Sequence, residues 1–301
     1  MGKASRSKRD GTRREKIAAQ RARERRTEIR NRVLLASGAV VVVIAVVVAF
    51  VLVKVNSKAT TSGVSNGPTG AALASVVTDT TSVPASTLNA VGAGSGVTAP
   101  PTSISGSPLT SGGKPEVLYV GAEYCPFCAA ERWAMVVALS RFGTFSGLST
   151  VHSSSTDQYP NTPTWTFYKS SYTSKYLTFT PVEEETNIPQ GNSYTTLQTP
   201  TSAQQALVQK YDGPPYVQTS GSIPFIDFGN KYMISGASYS PQVLTGKSWS
   251  QIASALKNPS SPIAKAVDGT ANYLTAAICK LTGNQPASAC TPVVKGLEGK
   301  I

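Results

Sequence analysis

The chain has 301 residues, 28 Lys and Arg against 16 Asp and Glu, a formal net charge of +12, and one histidine. That length allows one or two domains. A lone histidine leaves a His-rich metal site or a Ser-His-Asp triad almost nothing to work with, and no P-loop, G-x-G-x-x-G or G-x-S-x-G stretch supports nucleotide binding or hydrolase chemistry.

The charge is concentrated at the start. Residues 1–32 hold 13 Lys/Arg and 4 Asp/Glu, while the remaining 269 hold 15 and 12, so the bulk of the chain is nearly balanced. The basic stretch RREKIAAQRARERRTEIRNR could be a nucleic-acid-binding helix. It has no interleaved aromatics and no DNA-binding motif, so a solvated cytoplasmic tail lying against anionic lipid is the better reading, with no nucleic-acid partner. Residues 33–53 are 21 consecutive uncharged residues, enough to cross a hydrocarbon core of roughly 30 Å as a helix. A signal peptide has a shorter apolar region, about 7–15 residues, and no small-x-small cleavage site follows. An uncleaved anchor in membrane lipid is expected. Thirteen basic residues precede it and only Lys54 and Lys58 follow closely, so the N-terminus is cytoplasmic and the C-terminal bulk extracytoplasmic.

Residues 54–113 read as a Ser/Thr/Gly/Pro-rich lead-in: a flexible spacer to about residue 75, a short helix near Pro84–Val91, and a loop draped on a domain that begins near Lys114. Val117–Val120 is a short β-branched and aromatic run, hence a strand. After Gly121-Ala122 come Cys125-Pro126-Phe127-Cys128 and AAERWAMVVAL, whose Ala129, Trp133, Val136 and Val137 fall at helical spacing. Leu148–His152 reads as a second, parallel strand completing a β-α-β unit. Thr164–Tyr168 and Ser174–Pro181 alternate as strands do, and Ser202–Tyr211 reads as a helix. Ser222–Ile234 is two apolar runs around Gly229-Asn230, a hairpin signal. Ser248–Lys257 and Ile263–Leu281 read as helices, the second carrying Cys279, with Cys290 in a loop beyond it.

Cys125 carries the sharpest chemistry. A thiol at a helix N-terminus faces unpaired N–H groups and the positive end of the helix dipole, and both favour the reactive thiolate. Cys128, one turn on, can close a disulfide or release a mixed one. Pro126 fits the first helical turn, where no N–H is needed.

The order strand, turn, C-x-x-C, helix, together with Ser222-Ile223-Pro224 opening a strand and a hairpin, resembles the thioredoxin superfamily. The likeness is strongest to its CPxC-bearing extracytoplasmic thiol-disulfide oxidoreductases. It covers roughly residues 115–153 and 220–258. The chain also looks like an uncharacterised prokaryotic family of membrane-anchored thioredoxin-like proteins. The resemblance implies an α/β thioredoxin-like fold over residues 114–258, with Ile223–Pro224 cis and facing the thiols. It implies Cys125 as the attacking sulfur, Cys128 as the resolving one, and Pro224 shaping a substrate site with Ile223, Tyr124 and Phe127. No cofactor is implied. Cys125 and Pro224 lie 99 positions apart, more than the resemblance needs, so an insert is implied at about 154–215, before a C-terminal helical extension at 259–301. Three features depart from the superfamily: Val117–Val120 holds no buried Asp, Tyr124 stands where the usual Trp would, and the implied insert carries strand signals where that of the CPxC-bearing relatives is helical.

Four cysteines outside the cell leave three readings open. One is a redox pair Cys125/Cys128 beside a structural disulfide Cys279–Cys290. The second is a four-thiolate zinc site, disfavoured because the second pair is C-x₁₀-C and not a knuckle. The third is two structural pairs. His152 could pair with Cys125 but reads better as a polar cap on a strand end. Glu123 and Glu131 could move protons for Cys128, but read as solvated charges near the helix start. Tyr124, Phe127, Tyr168, Tyr172, Tyr176 and Phe179 could form a peptide-binding surface or simply pack. Two functions follow. One is a thiol-disulfide oxidoreductase acting on thiols or disulfides of exported proteins and recycled by an unidentified redox partner. The other is a redox-inactive adaptor at the cell envelope.

Overall fold

The computed structural model describes residues 67–301. The basic tail, the apolar run 33–53 and the start of the expected spacer lie outside the described residues. Among the described residues no helix is long and apolar enough to cross a membrane.

Two helices come first, α1 (Gly70–Thr81) and α2 (Ala85–Val91). Short strands β1 (Thr102–Ser103) and β2 (Thr110–Ser111) lead into the long strand β3 (Lys114–Gly121) and helix α3 (Pro126–Leu139). Seven strands follow: β4 (Gly143–Ser146), β5 (Ser149–His152), β6 (Pro163–Thr166), β7 (Ser171–Ser174), β8 (Thr178–Glu183), β9 (Glu185–Gln190) and β10 (Ser193–Thr196). Helix α4 (Ser202–Tyr211) precedes the hairpin β11 (Phe225–Phe228) and β12 (Tyr232–Ser235). A 3-10 turn at Pro241–Leu244, α5 (Trp249–Ala255), α6 (Pro262–Leu281), α7 (Pro292–Lys295) and a 3-10 turn at Glu298–Lys300 complete the chain.

The architecture is mixed α/β around a six-stranded mixed sheet with β3 at its centre. β3 pairs antiparallel with β11, where Ile226 faces Tyr119, and parallel with β8, where Val182 faces Val120. β12 and then β1 continue beyond β11, and β2 pairs with the start of β3. Strand alternation divides the core in two. Val117 and Tyr119 join Ile226, Phe228 and Ile234 under α3 and α6, while Leu118 and Val120 join Val182, Phe225 and Met233 under Tyr211 of α4. Both faces are covered, so each of these side chains gains about 1.5–3 kcal/mol by leaving water. Gly229 and Asn230 turn the β11–β12 hairpin, both with left-handed backbone (φ 64° and 56°).

Helix α3 is buried on every side, with only Phe127 outside. α6 packs against it, and alanines of both helices, Ala130, Ala134 and Ala138 with Ala266, Ala271 and Ala277, are buried in the same core. The region expected as a C-terminal extension is therefore part of the main core. α6 begins with Pro262 after the capping Ser261 and runs 20 residues to Leu281.

Three further expectations are corrected. The parallel partner of β3 is β8, not Leu148–His152. Ser149–His152 pairs antiparallel with β6, and that hairpin lies on α3: Trp133 Nε1 donates to the Pro163 carbonyl at 2.8 Å and Thr164 Oγ1 to the Ala129 carbonyl at 2.7 Å. Consequently the extra chain does not form one insert at 154–215. It lies on both sides of β8, which takes the sheet position. Finally, the domain does not begin near Lys114, nor does the spacer run to residue 75. α1 turns Leu73, Val76, Val77 and Thr80 toward the core at helical spacing. Asn272 of α6 donates to the Leu88 and Gly92 carbonyls at the end of α2, both at 2.8 Å.

Candidate functional site

β3 ends at Gly121, and four residues later Cys125 caps α3. Its extended backbone (φ −74°, ψ 121°) starts the helix, Pro126 fills the first turn, and Cys125 Sγ accepts the Cys128 N–H at 3.2 Å. Both thiols are free. Cys125 is 4% exposed and Cys128 fully buried, so the rim thiol is the expected one, though more enclosed than a thiol on an open face.

β11 brings the second half of the site. The Ile223–Pro224 peptide is cis, and Cys125 Sγ donates to the Ile223 carbonyl at 3.6 Å. Pro224 is buried and Ile223 half-buried. Phe127, 36% exposed, meets Tyr159 edge-on at 5.9 Å, and half-buried Tyr124 stacks on Tyr194 at 4.2 Å. Tyr194 O–H donates to Ser154 Oγ at 2.7 Å, and Ser154 N–H to the Tyr124 carbonyl at 2.7 Å. The β5–β6 loop and the β9–β10 hairpin thus reach the rim through Tyr159 and Tyr194, which the sequence did not single out.

The other aromatics named from the sequence lie in the packing. Phe179 meets Phe167 at 5.0 Å, Tyr172 O–H donates to the Leu139 carbonyl, and Tyr176 packs on the main core. Lys169 covers the Tyr168 ring at 5.2 Å. His152 ends β5 with Nδ1 2.9 Å from the Ser153 carbonyl, and its own carbonyl accepts from Asn187 at 2.8 Å. That is the polar cap on a strand end.

Glu123 and Glu131 are not solvated charges. α3 has no free face, and both are fully buried. Glu123 accepts the Thr166 hydroxyl at 2.6 Å. Glu131 accepts the Ser238 N–H at 2.9 Å and its hydroxyl at 3.1 Å. Burial pushes the Glu131 carboxyl up to about 7 against those two bonds.

Sequence reasoning also missed a buried ion pair. Arg132 Nε and Nη2 donate to the two oxygens of Glu183 at 2.8 and 2.6 Å, and Nη2 to the Ala122 carbonyl at 2.7 Å. Both side chains are fully buried. Arg132 follows Cys128 by four residues on α3, a visible one-turn spacing. Glu183 opens a run of three glutamates that reads as surface.

Burial alone would raise the Cys125 thiol. The hydrogen bonds from the Cys128 thiol and N–H, the Arg132 charge and the Phe127 N–H outweigh it and hold Cys125 below the usual thiol value. Burial, with the bond to Cys125, pushes Cys128 well above it. The arrangement offers one nucleophilic thiolate at the rim and one protonated thiol a turn inside. Cys279 and Cys290 are bonded to each other, which withdraws two ligands from the four-thiolate zinc reading.

A family model described as a domain of unknown function (DUF929) matches residues 100–280, which take in the whole central sheet, α3 and nearly all of α6. No curated protein and no solved structure matches the chain.

Proposed function

We propose that this chain, which belongs to the DUF929 family, is a membrane-anchored, extracytoplasmic thiol-disulfide oxidoreductase of thioredoxin-like fold. Its clients are cysteines of exported proteins. The observation that carries the reading is the meeting of Cys125 with the 223–224 peptide: a helix-capping thiol held below its usual value, 3.6 Å from the Ile223 carbonyl. The arrangement of β3 between parallel β8 and antiparallel β11, followed by β12, supports the superfamily reading. The Cys279–Cys290 bridge agrees with an oxidising compartment. The apolar run 33–53, with its basic flank, supports the anchor and its direction.

In this reading Cys125 exchanges with a client sulfur, forming a mixed disulfide. Cys128, a turn inside, then attacks Cys125, closing the pair and releasing the client thiolate. The reverse sequence oxidises a client. Ile223 and Pro224, with Tyr124 and Phe127, border the client chain. The chemistry takes place on the two sulfurs without a bound cofactor, and a separate redox partner resets the pair.

A second reading is a redox-inactive adaptor, favoured by the 4% exposure of Cys125 and by the aromatic rim beside it. Incubating the full-length chain with a test dithiol peptide in oxidised glutathione, and with the peptide's disulfide in reduced glutathione, separates the two. The oxidoreductase speeds the conversion that glutathione drives and loses that activity as Cys125→Ser. Absence of turnover in both directions with an intact thiol pair leaves the adaptor.

A further inference from the structure

Three elements meet beneath the thiols. Arg132 on α3, Glu183 on β8 and Tyr119 on β3 are all fully buried. Glu183 occupies the Nε–Nη2 edge of the guanidinium, and Nη1 lies outside that grip, buried and without a hydrogen-bond partner. The guanidinium carbon stands 5.7 Å from the centre of the Tyr119 ring, and the Tyr119 hydroxyl is likewise buried without a partner. Gly121 keeps this corner open. A Cβ there would collide with the Tyr119 hydroxyl and lie 3.1 Å from Cys128 Sγ. Cys128 and Arg132 share one helix face, a turn apart.

Stability does not account for such a pair. Apolar residues of the same volume would often serve as well or better, because two charges have been taken out of water. A fixed positive charge beside a sulfur that must leave as a thiolate does account for it.

We propose that Arg132, clamped by Glu183, is a positioning residue that favours the reduced, negatively charged form of the thiol pair and makes the Cys125–Cys128 disulfide an electron acceptor. The inference rests on the oxidoreductase reading and gives it a direction: the client is a protein dithiol that leaves as a disulfide. A client thiolate attacks Cys125 Sγ, the Cys125–Cys128 bond breaks, and its electron pair leaves on Cys128 beside Arg132. The client's second thiolate then attacks the client sulfur bound to Cys125, forming the client disulfide and freeing the Cys125 thiolate. Two electrons pass from client to enzyme. One client proton ends on Cys128 and the other in solvent. Burial raises both thiols, and the Arg132 charge acts against burial on each.

The test is the equilibrium of the full-length chain with glutathione redox buffers, read by differential alkylation of the peptide carrying Cys125 and Cys128. Glu183→Gln keeps the shape and an oxygen that accepts from Arg132 but leaves its charge uncompensated, which destabilises the fold. It is therefore read at a temperature where circular dichroism shows the variant folded; the equilibrium constant shifts about tenfold toward the reduced pair. Arg132→Met alone strands a buried carboxylate and destabilises the fold, so the second variant is Arg132→Met with Glu183→Gln. It shifts about tenfold toward the disulfide. Each tenfold step is roughly 30 mV for a two-electron couple. Structural disturbance would move both variants the same way. Shifts in one direction, or none, overturn the role of Arg132 and leave the oxidoreductase reading standing. A wild-type disulfide that glutathione cannot reduce overturns the direction. A pair that exchanges with neither form of glutathione overturns the underlying reading and this inference with it.

Discussion

Cys125 Sγ and the Ile223 carbonyl oxygen lie 3.6 Å apart across 98 positions of sequence. Between them the chain makes α3, seven further strands and α4, and returns along the strand next to β3. The contact couples a helix cap to the start of β11, an inner strand of the sheet, so neither half makes the site alone.

A Cys128→Ser variant should accumulate mixed disulfides with exported proteins, because its Cys125 can attack but nothing resolves the product. A Cys125→Ser variant should accumulate none, since the remaining thiol is fully buried and raised. Non-reducing gels of cells expressing each variant should show at least about a tenfold difference in trapped species, given that exchange rate follows thiolate fraction and access. Equal trapping by the two would place the nucleophile elsewhere.

The site's first half was legible because its parts are local. A strand, a turn, Cys-Pro-Phe-Cys and a helix sit within 26 residues, Lys114–Leu139. The hairpin was legible from Gly229-Asn230. The strand signal over Ser174–Pro181 covers most of β8, but its place beside β3 was not legible, because Leu148–His152 lies nearer in sequence and reads as the parallel neighbour instead. In the fold Pro181 stands on a strand paired on one side only, where no N–H is required. The lead-in was misread because α1 is mostly Ala, Val and Thr, with Asp79 its one charge, and has no strong polar face to set off its core stripe. Glu183 was hidden by its neighbours Glu184 and Glu185, which are half-buried, while Glu183 itself is enclosed. Sequence distance concealed the ion pair: Arg132 and Glu183 are 51 residues apart.

The Cys279–Cys290 bridge should act as a staple on the unfolded chain. It closes a loop of sequence separation 11, for which the chain-entropy model gives about 3 kcal/mol. Arg141 also ties the loop down from outside, its Nη2 donating to the Ala289 carbonyl at 2.7 Å. Replacing both cysteines by Ser should lower the unfolding free energy, read from urea titrations, by about that amount, without altering the exchange activity of Cys125. Peptide mapping that links Cys279 to Cys125 or Cys128 would refute both points.

Gly269, the one glycine of α6, should not tolerate a side chain. A Cβ there would sit 2.8 Å from Gly94 Cα and 2.9 Å from the Ala93 carbonyl, both backbone atoms that cannot swing aside. Gly→Ala inside a helix normally gains up to about 1 kcal/mol. Overpacking costs typically 1–3 kcal/mol, so the net sign is destabilising. Gly269→Ala should also speed amide exchange in α2, whose last carbonyls are held by Asn272. A variant as stable as wild type would mean that the lead-in does not press on α6 there.

Asp268 should make the domain lose stability as pH rises. It is fully buried, neither carboxylate oxygen has a hydrogen-bond partner, and burial pushes its carboxyl up to about 8. In the unfolded chain an aspartate titrates near 4. Between those values the folded state holds a proton that the unfolded state has released. The stabilisation is therefore complete below about pH 4 and is lost progressively as pH rises through 8, at up to roughly 1.4 kcal/mol per pH unit. Glu131, at about 7, and Asp227, at about 6, act in the same sense over narrower windows. Asp268→Asn carries no charge at any pH. Urea unfolding at pH 5 and pH 8.5 should show wild type weakening strongly between the two, and the variant weakening by on the order of 3–5 kcal/mol less. Glu131, Asp227 and Glu184, all raised first by burial, contribute to the residual slope. Parallel stability curves for the two proteins would show that Asp268 is ionised in the folded state at both pH values, with its charge met by a partner.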